Sequence, residues 1–199
     1  MLFEGLAING AFRVRIEKHA DERGFFARTY CRDEFRAQGI EMDVMQVSIS
    51  YNTLCGTVRG LHMQWPPSSE AKLVRCVRGR IFDVLLDLRP SSPAYLKHEA
   101  LELDEEDRTA VLIPPGVAHG FQTLSDDAEV LYQMSDVYAP GLQTGVRWND
   151  AAFDIRWPLA ASVISDRDAS YSDFDRQAFE AELERRQAQA DDGKVHEQA

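Results

Sequence analysis

Short runs rich in β-branched and aromatic residues recur at close intervals along the chain, separated by Gly, Pro, Asp and Ser. Many short strands bounded by turn residues predict an all-β sandwich or barrel. The predicted strands cover residues 12–18, 24–30, 44–51, 57–63, 71–77, 80–88, 97–103, 110–113, 121–124 and 129–137. Arg78-Gly79 marks a hairpin, the run RPSSP at 89–93 a loop, and DEED at 104–107 a solvated turn. Only two stretches read as helix: 32–38, closed by Gly39, and the charged amphipathic segment 174–190. The final ten or so residues are polar enough to predict disorder. The chain thus divides into one domain over 1–175 and a charged helix with a disordered tail over 176–199.

Alternate residues of a strand share a face. Tyr132, Met134, Asp136 and Tyr138 therefore point one way, a pattern that suits a lined cavity better than a packed core. His62 shares its face with Gly60 and Gln64, and Lys72 with Val74 and Cys76. Ile81, Asp83, Leu85 and Asp87 also share a face, which sets carboxylates among apolar neighbours. A buried carboxylate needs a partner, and histidine is the natural one. Taken singly each residue has a plainer reading, since a strand histidine is more often a satisfied structural residue and a strand tyrosine a packing element. Small barrels nevertheless hold a ligand in their mouth, where such groups would converge.

The formal net charge of −11, with acids spread along the chain, argues against a nucleic-acid-binding face. A small anionic ligand still has a place to bind, because Arg59, Lys72, Arg75, Arg78 and Arg80 form the densest basic stretch. Arg78 and Arg80 read better as solvated hairpin residues. The N-terminal residues lack the pattern of a signal peptide, and no run of about 18 apolar residues offers a membrane span. A cytoplasmic protein with neither membrane nor nucleic-acid partners is expected. Cys31, Cys55 and Cys76 share no metal-type spacing and read as reduced, mostly buried thiols.

Gly56, His62, Gln64, Glu70 and Gly79 together resemble the first signature of the cupin superfamily, and the block PPGVAH at 114–119 resembles the second. The resemblance implies a double-stranded β-helix, or jelly-roll, barrel. Metal-binding cupins usually supply three histidines and a glutamate, whereas here Gln64 stands in the place of one histidine. Glutamine is a poor ligand for Zn²⁺ or Fe²⁺, so a site without metal or other cofactor is expected.

The resemblance sharpens at RGLH (59–62), KLVR (72–75), GRIFDVLLDLR (79–89), IPPGVAHGF (113–121) and residues 132–140. With DERGFF (21–26) and GVRW (145–148), these blocks resemble the dTDP-4-dehydrorhamnose 3,5-epimerase family from about residue 3 to residue 168. That resemblance implies His62 as catalytic base, Asp168 as the acid that orients it, Tyr132 as proton donor and Lys72 beside the sugar's keto oxygen. It implies His119 and Asp83 as a second His–Asp pair, with Arg23, Arg59 and Arg167 on the nucleotide or its phosphates and Tyr138 stacked on the base. Phe26, Arg28, Gln46, Ser48 and Gln143 fall at the remaining substrate-binding positions. It implies further a nucleotide-sugar substrate and a homodimer whose N-terminal strands cross to the partner's nucleotide site.

Those residue types suit proton exchange next to a ketone. Loss of the proton leaves an enolate, and a fixed cation at the carbonyl oxygen lowers the barrier without a metal, by roughly 3 kcal/mol for one such donor. Histidine titrates near neutrality and a carboxylate on its far nitrogen fixes the tautomer. A phenol with a pKa of about 10 remains protonated and available as a donor.

Several positions depart from the family pattern. Arg28 and Gln143 each stand where glutamate is usual, Ser48 where asparagine is usual, Met63 where tyrosine is usual, and Glu70 where glutamine is common. The catalytic set is intact while ligand-holding positions differ. A 3,5-epimerase is therefore the leading reading, with a mono-epimerase or an epimerase of another nucleotide 4-keto sugar as its nearest rival. A metal-dependent cupin oxygenase or isomerase is disfavoured by Gln64. A non-catalytic sugar-binding cupin would have no need of His62, Asp168, Lys72 and Tyr132 together.

Overall fold

The structure, a computed structural model, describes residues 1–197. Its strands are β1 (Leu2–Gly5), β2 (Phe12–Arg15), β3 (His19–Asp21), β4 (Gly24–Phe26), β5 (Gln46–Asn52), β6 (Val58–Gln64) and β7 (Lys72–Arg78). They continue with β8 (Arg80–Asp87), β9 (His98–Asp104), β10 (Ala110–Ile113), β11 (Val117–Thr123), β12 (Ala128–Met134) and β13 (Gln143–Gly145). Helix α1 (Arg32–Ala37) follows β4, and α2 (Asp166–Ala169) and α3 (Arg176–Glu197) close the chain.

One sheet runs β1-β2-β10-β7-β12-β5 and the other β13-β6-β11-β8-β9, with β3 and β4 forming a separate hairpin. The two large sheets, antiparallel throughout, face each other as a jelly-roll barrel of cupin type, as the sequence predicts. Alternation explains the interior: Val74, Cys76, Ile81, Leu85, Phe121 and Val130 all point between the sheets and are essentially unexposed. Outside the six-stranded sheet, α1 brings Phe35 down on Val14, Leu73 and Leu112. Outside the five-stranded sheet, the segment after β13 and the start of α3 cover Leu61, Trp65, Val84 and Leu86.

The central strands fall close to where alternation places them, and the differences lie at the edges. Strands β1, β3 and β13 were not anticipated. Leu2–Gly5 holds two apolar residues, and Gln143–Gly145 is a strand only because β6 supplies its partners. The predicted strand over 12–18 stops at Arg15, and that over 24–30 is three residues long. β11 begins at Val117, before its predicted start, and so carries His119 inside the barrel. α3 continues to Glu197, past the predicted helix end at 190 and into the tail expected to be disordered; residues 198 and 199 of that tail lie outside the described residues. Among the described residues no helix is long and apolar enough to cross a membrane. Cys76 is buried while Cys31 and Cys55 are partly exposed, and all three are free. Burial pushes the Cys76 thiol up to about 12, which makes it unreactive.

Candidate active site

Between the sheets, at one end of the barrel, opens a cleft of about 480 Å³. On its five-stranded wall β6 and β11 are paired at close range. Gly60 has φ +109°, and a Cβ there would meet the Gly120 Cα and the His119 carbonyl oxygen at 2.6 Å. Only glycine permits this conformation and spacing. Two residues on, His62 and His119 stand opposite each other in the ladder.

His62 is hydrogen-bonded through Nε2 to Asp168 Oδ1 at 2.6 Å. Asp168 comes from outside the barrel on α2, a single turn whose N-cap is Ser165; the Asp168 N–H donates to the Ser165 Oγ at 3.1 Å. The second carboxylate oxygen of Asp168 accepts the Gly60 N–H at 3.1 Å. Burial pushes this carboxyl up, but the His62 ring, the Gly60 N–H and the Ser165 cap together outweigh burial and hold it below its ordinary value of 3.8. A carboxylate that remains ionised accepts the Nε2–H and leaves the lone pair on Nδ1, which is the state a general base requires.

On the same sheet, His119 Nε2 lies 2.7 Å from Asp83 Oδ1, with both side chains almost wholly buried. Among the described residues Asp83 Oδ2 has no hydrogen-bond partner. Across the cleft, on the six-stranded sheet, Tyr132 meets His119 edge-on with ring centroids 5.8 Å apart. Burial raises the Tyr132 phenol well above its usual value, and the nearby Asp83 charge raises it further, against a smaller opposing effect of Arg59. The phenol is therefore a proton donor at any physiological pH. Lys72, on the neighbouring strand β7, points into the same cleft and is ion-paired with Glu70.

Of the other expected residues, Gln46, Ser48, Arg59, Tyr138, Gln143 and Arg167 all line the cleft. Asp83 does not, lying behind His119. Arg59 Nε donates to the buried Asn52 Oδ1 at 2.7 Å. The Tyr138 N–H donates to Gln46 Oε1 at 2.9 Å and its hydroxyl to Gln143 Oε1 at 2.6 Å. Gln64, at the position of the missing cupin histidine, donates to the Val137 carbonyl at 3.3 Å and accepts the Ala139 N–H at 3.0 Å. Its carboxamide is thus committed to the loop that carries Tyr138.

Arg23, Phe26 and Arg28 are not brought to this cleft. Arg23 pairs with Asp21 on the exposed β3–β4 hairpin, and Phe26 is 78% exposed. Arg28 pairs with Glu34 at 2.7 Å beside a separate hollow of about 130 Å³. Sequence reasoning did not anticipate Glu70 on Lys72, Ser165 as the cap that sets Asp168, or Asn52 under Arg59. The Ser-x-x-Asp spacing of 165–168 was a usable signal for the second of these.

A jelly-roll barrel with a carboxylate-backed histidine on one wall and a protonated tyrosine on the other has the groups needed by an epimerase, an isomerase that moves a carbon-bound proton from one face to the other. The model of the dTDP-4-dehydrorhamnose 3,5-epimerase family matches residues 5–176, and the chain belongs to that family. The dTDP-4-dehydrorhamnose 3,5-epimerase of Sinorhizobium fredii is 37% identical over 171 residues, covering 85% of this chain and 88% of the relative. A dTDP-4-dehydrorhamnose 3-epimerase of Streptomyces niveus is 38% identical, covering 84% and 81%. The Legionella pneumophila 3,5-epimerase crystallised with dTDP-4-keto-L-rhamnose superposes with a TM-score of 0.83 at 30% identity, over 92% of this chain and 96% of that one.

Proposed function

We propose that this epimerase inverts C5 and C3 of a dTDP-linked 4-keto-6-deoxyglucose, with His62 as base and Tyr132 as acid. The observation that carries the reading is the placement of these two groups on opposite walls of one cleft, with Lys72 between the sheets beside them. A sugar ring lying between the walls presents one face of a carbon to His62 and the other to Tyr132. His62 takes the proton adjacent to the ketone, Asp168 stabilises the imidazolium, and Lys72 stabilises the enolate oxygen. Tyr132 then returns a proton from the opposite face, which inverts the centre. Arg59 and Arg167 at the cleft supply the diphosphate's counter-charge, and Tyr138 offers a ring for the base.

The second reading, inversion of C3 alone, draws on the Streptomyces niveus relative, which is as similar as the 3,5-epimerases. Proton NMR in D₂O with dTDP-4-keto-6-deoxyglucose separates the two: deuterium at both carbons supports the first, deuterium at C3 alone the second. Uptake at neither carbon sinks both for this substrate.

A homodimer completes the proposal. The outward face of edge strand β5 exposes Val47, Ile49 and Tyr51, and the β3–β4 hairpin holds Arg23 and Phe26 clear of their own cleft. A second copy laid on β5 would cover the apolar stripe and receive the hairpin at its cleft. Light scattering that returns a monomer at micromolar concentration would remove this part. Three free thiols and a nucleotide-sugar substrate fit a reducing cytoplasm.

A further inference from the structure

The proposed mechanism uses Lys72 and leaves its partner unexplained. Glu70 lines the cleft, yet its side chain is only 6% exposed, and Lys72, at 13%, is the sole cation within ion-pair distance among the described residues. Its backbone is held as firmly as its carboxylate. The Glu70 N–H donates to Ser68 Oγ at 3.2 Å, and that hydroxyl donates to Asp136 Oδ2 at 2.7 Å. Upstream, Trp65 is gripped by Phe179 of α3 at 4.8 Å and by Arg186 over its ring at 5.5 Å. Segment 65–70 therefore presents a fixed carboxylate to the ammonium at the end of the four-carbon Lys72 stem.

We propose that Glu70 is a positioning residue for catalysis: it holds the Lys72 ammonium at the keto oxygen when substrate fills the cleft. The ammonium has three N–H donors; one goes to Glu70 and the others remain for the substrate oxygen. An ammonium displaced from the keto oxygen would leave the enolate without a counter-charge, so the loss appears in the chemical step rather than in binding. The inference rests on the epimerase reading and on Lys72 acting at the keto oxygen.

The test compares wild type, Glu70→Gln, Glu70→Asp, Lys72→Met and the double variant Glu70→Gln/Lys72→Met. The readouts are deuterium uptake from D₂O, kcat, KM, dTDP affinity by calorimetry, and melting temperature. Glu70→Gln keeps the shape and removes the charge. It is expected to lower kcat about 10- to 100-fold while leaving KM and dTDP affinity within about twofold. Lys72→Met is expected to lose about 10²- to 10³-fold. The double variant should be no slower than Lys72→Met alone, because Glu70 acts only through that ammonium. Glu70→Asp should recover part of kcat, which keeps the test decisive if Glu70→Gln melts early. A wild-type kcat in Glu70→Gln, or a double variant slowed by the product of the two single losses, overturns the proposal. Absence of deuterium uptake by the wild-type enzyme instead overturns the epimerase reading beneath it.

Discussion

Two histidine–aspartate pairs stand side by side in this barrel, alike in chemistry and nearly identical in length, at 2.6 Å for His62–Asp168 and 2.7 Å for His119–Asp83. They differ in access and in how the carboxylate is held. Both rings line the cleft, but His62 is 29% exposed and His119 only 4%. Asp168 arrives on a separately capped turn and has both oxygens satisfied, while Asp83 belongs to β8 itself and leaves Oδ2 buried without a partner among the described residues. In the function proposed above, the first pair exchanges a proton with the ligand and the second supports the wall beside Tyr132. Hydrogen-bond length alone does not distinguish a catalytic dyad from a supporting one; exposure and the second oxygen do.

The largest expected break in the comparison is at His62. His62→Ala should lower kcat by about 10³- to 10⁴-fold, in the range of a lost general base, with dTDP affinity almost unchanged. An active variant in the deuterium assay would take the base role away from this pair. Next comes Tyr132→Phe, which removes the acid held beside the second pair. Exchange at the carbon should continue while completed inversion falls about 10²-fold, read as deuterated but uninverted substrate. Full epimerisation by this variant would show that the proton returns from elsewhere. Asp83→Ala probes the supporting pair as a structural element. It leaves a buried imidazole unpaired, so a loss of about 2–3 kcal/mol in urea unfolding is expected. An unchanged unfolding midpoint would mean that His119 finds another partner at no cost.

The two pairs were also unequally legible in the sequence. Strand alternation placed Asp83 inward among Ile81 and Leu85 and called for a histidine partner, which the family resemblance identified as His119; β8 and β11 lie next to each other in the ladder, so the pairing is local to one sheet. Asp168 is 106 residues from His62 and reaches it across the outside of the barrel, a relation that no periodicity contains. Only the family resemblance linked them. For the same reason β13 escaped notice: Gln143-Thr144-Gly145 has no apolar alternation, and its strand geometry comes from backbone pairing with β6. The hairpin residues Arg23 and Phe26 show the converse. The family resemblance implied a binding role for them, yet neither lines the cleft of its own chain.

The smallest predicted effect separates the pairs by pH. Asp168 is held below its ordinary value of 3.8 by the His62 ring and the Gly60 N–H. A carboxyl whose folded value is depressed contributes stability that is fully present above the unfolded value and lost as pH falls through the folded one. Asp168→Asn should therefore cost about 1 kcal/mol at pH 7, the worth of a buried hydrogen bond made through an ionised group and only partly replaced by the amide. The gap between variant and wild type should close as the pH is lowered from about 5 towards 2, because the wild type there loses the same charge. Chemical unfolding at pH 7, 4 and 2.5 measures it. A gap that stays constant into acid would mean that Asp168 matters to the fold as a shape and not as a charge. Its hold on His62 would then depend on the Ser165 cap and on α2 rather than on the ionised carboxylate.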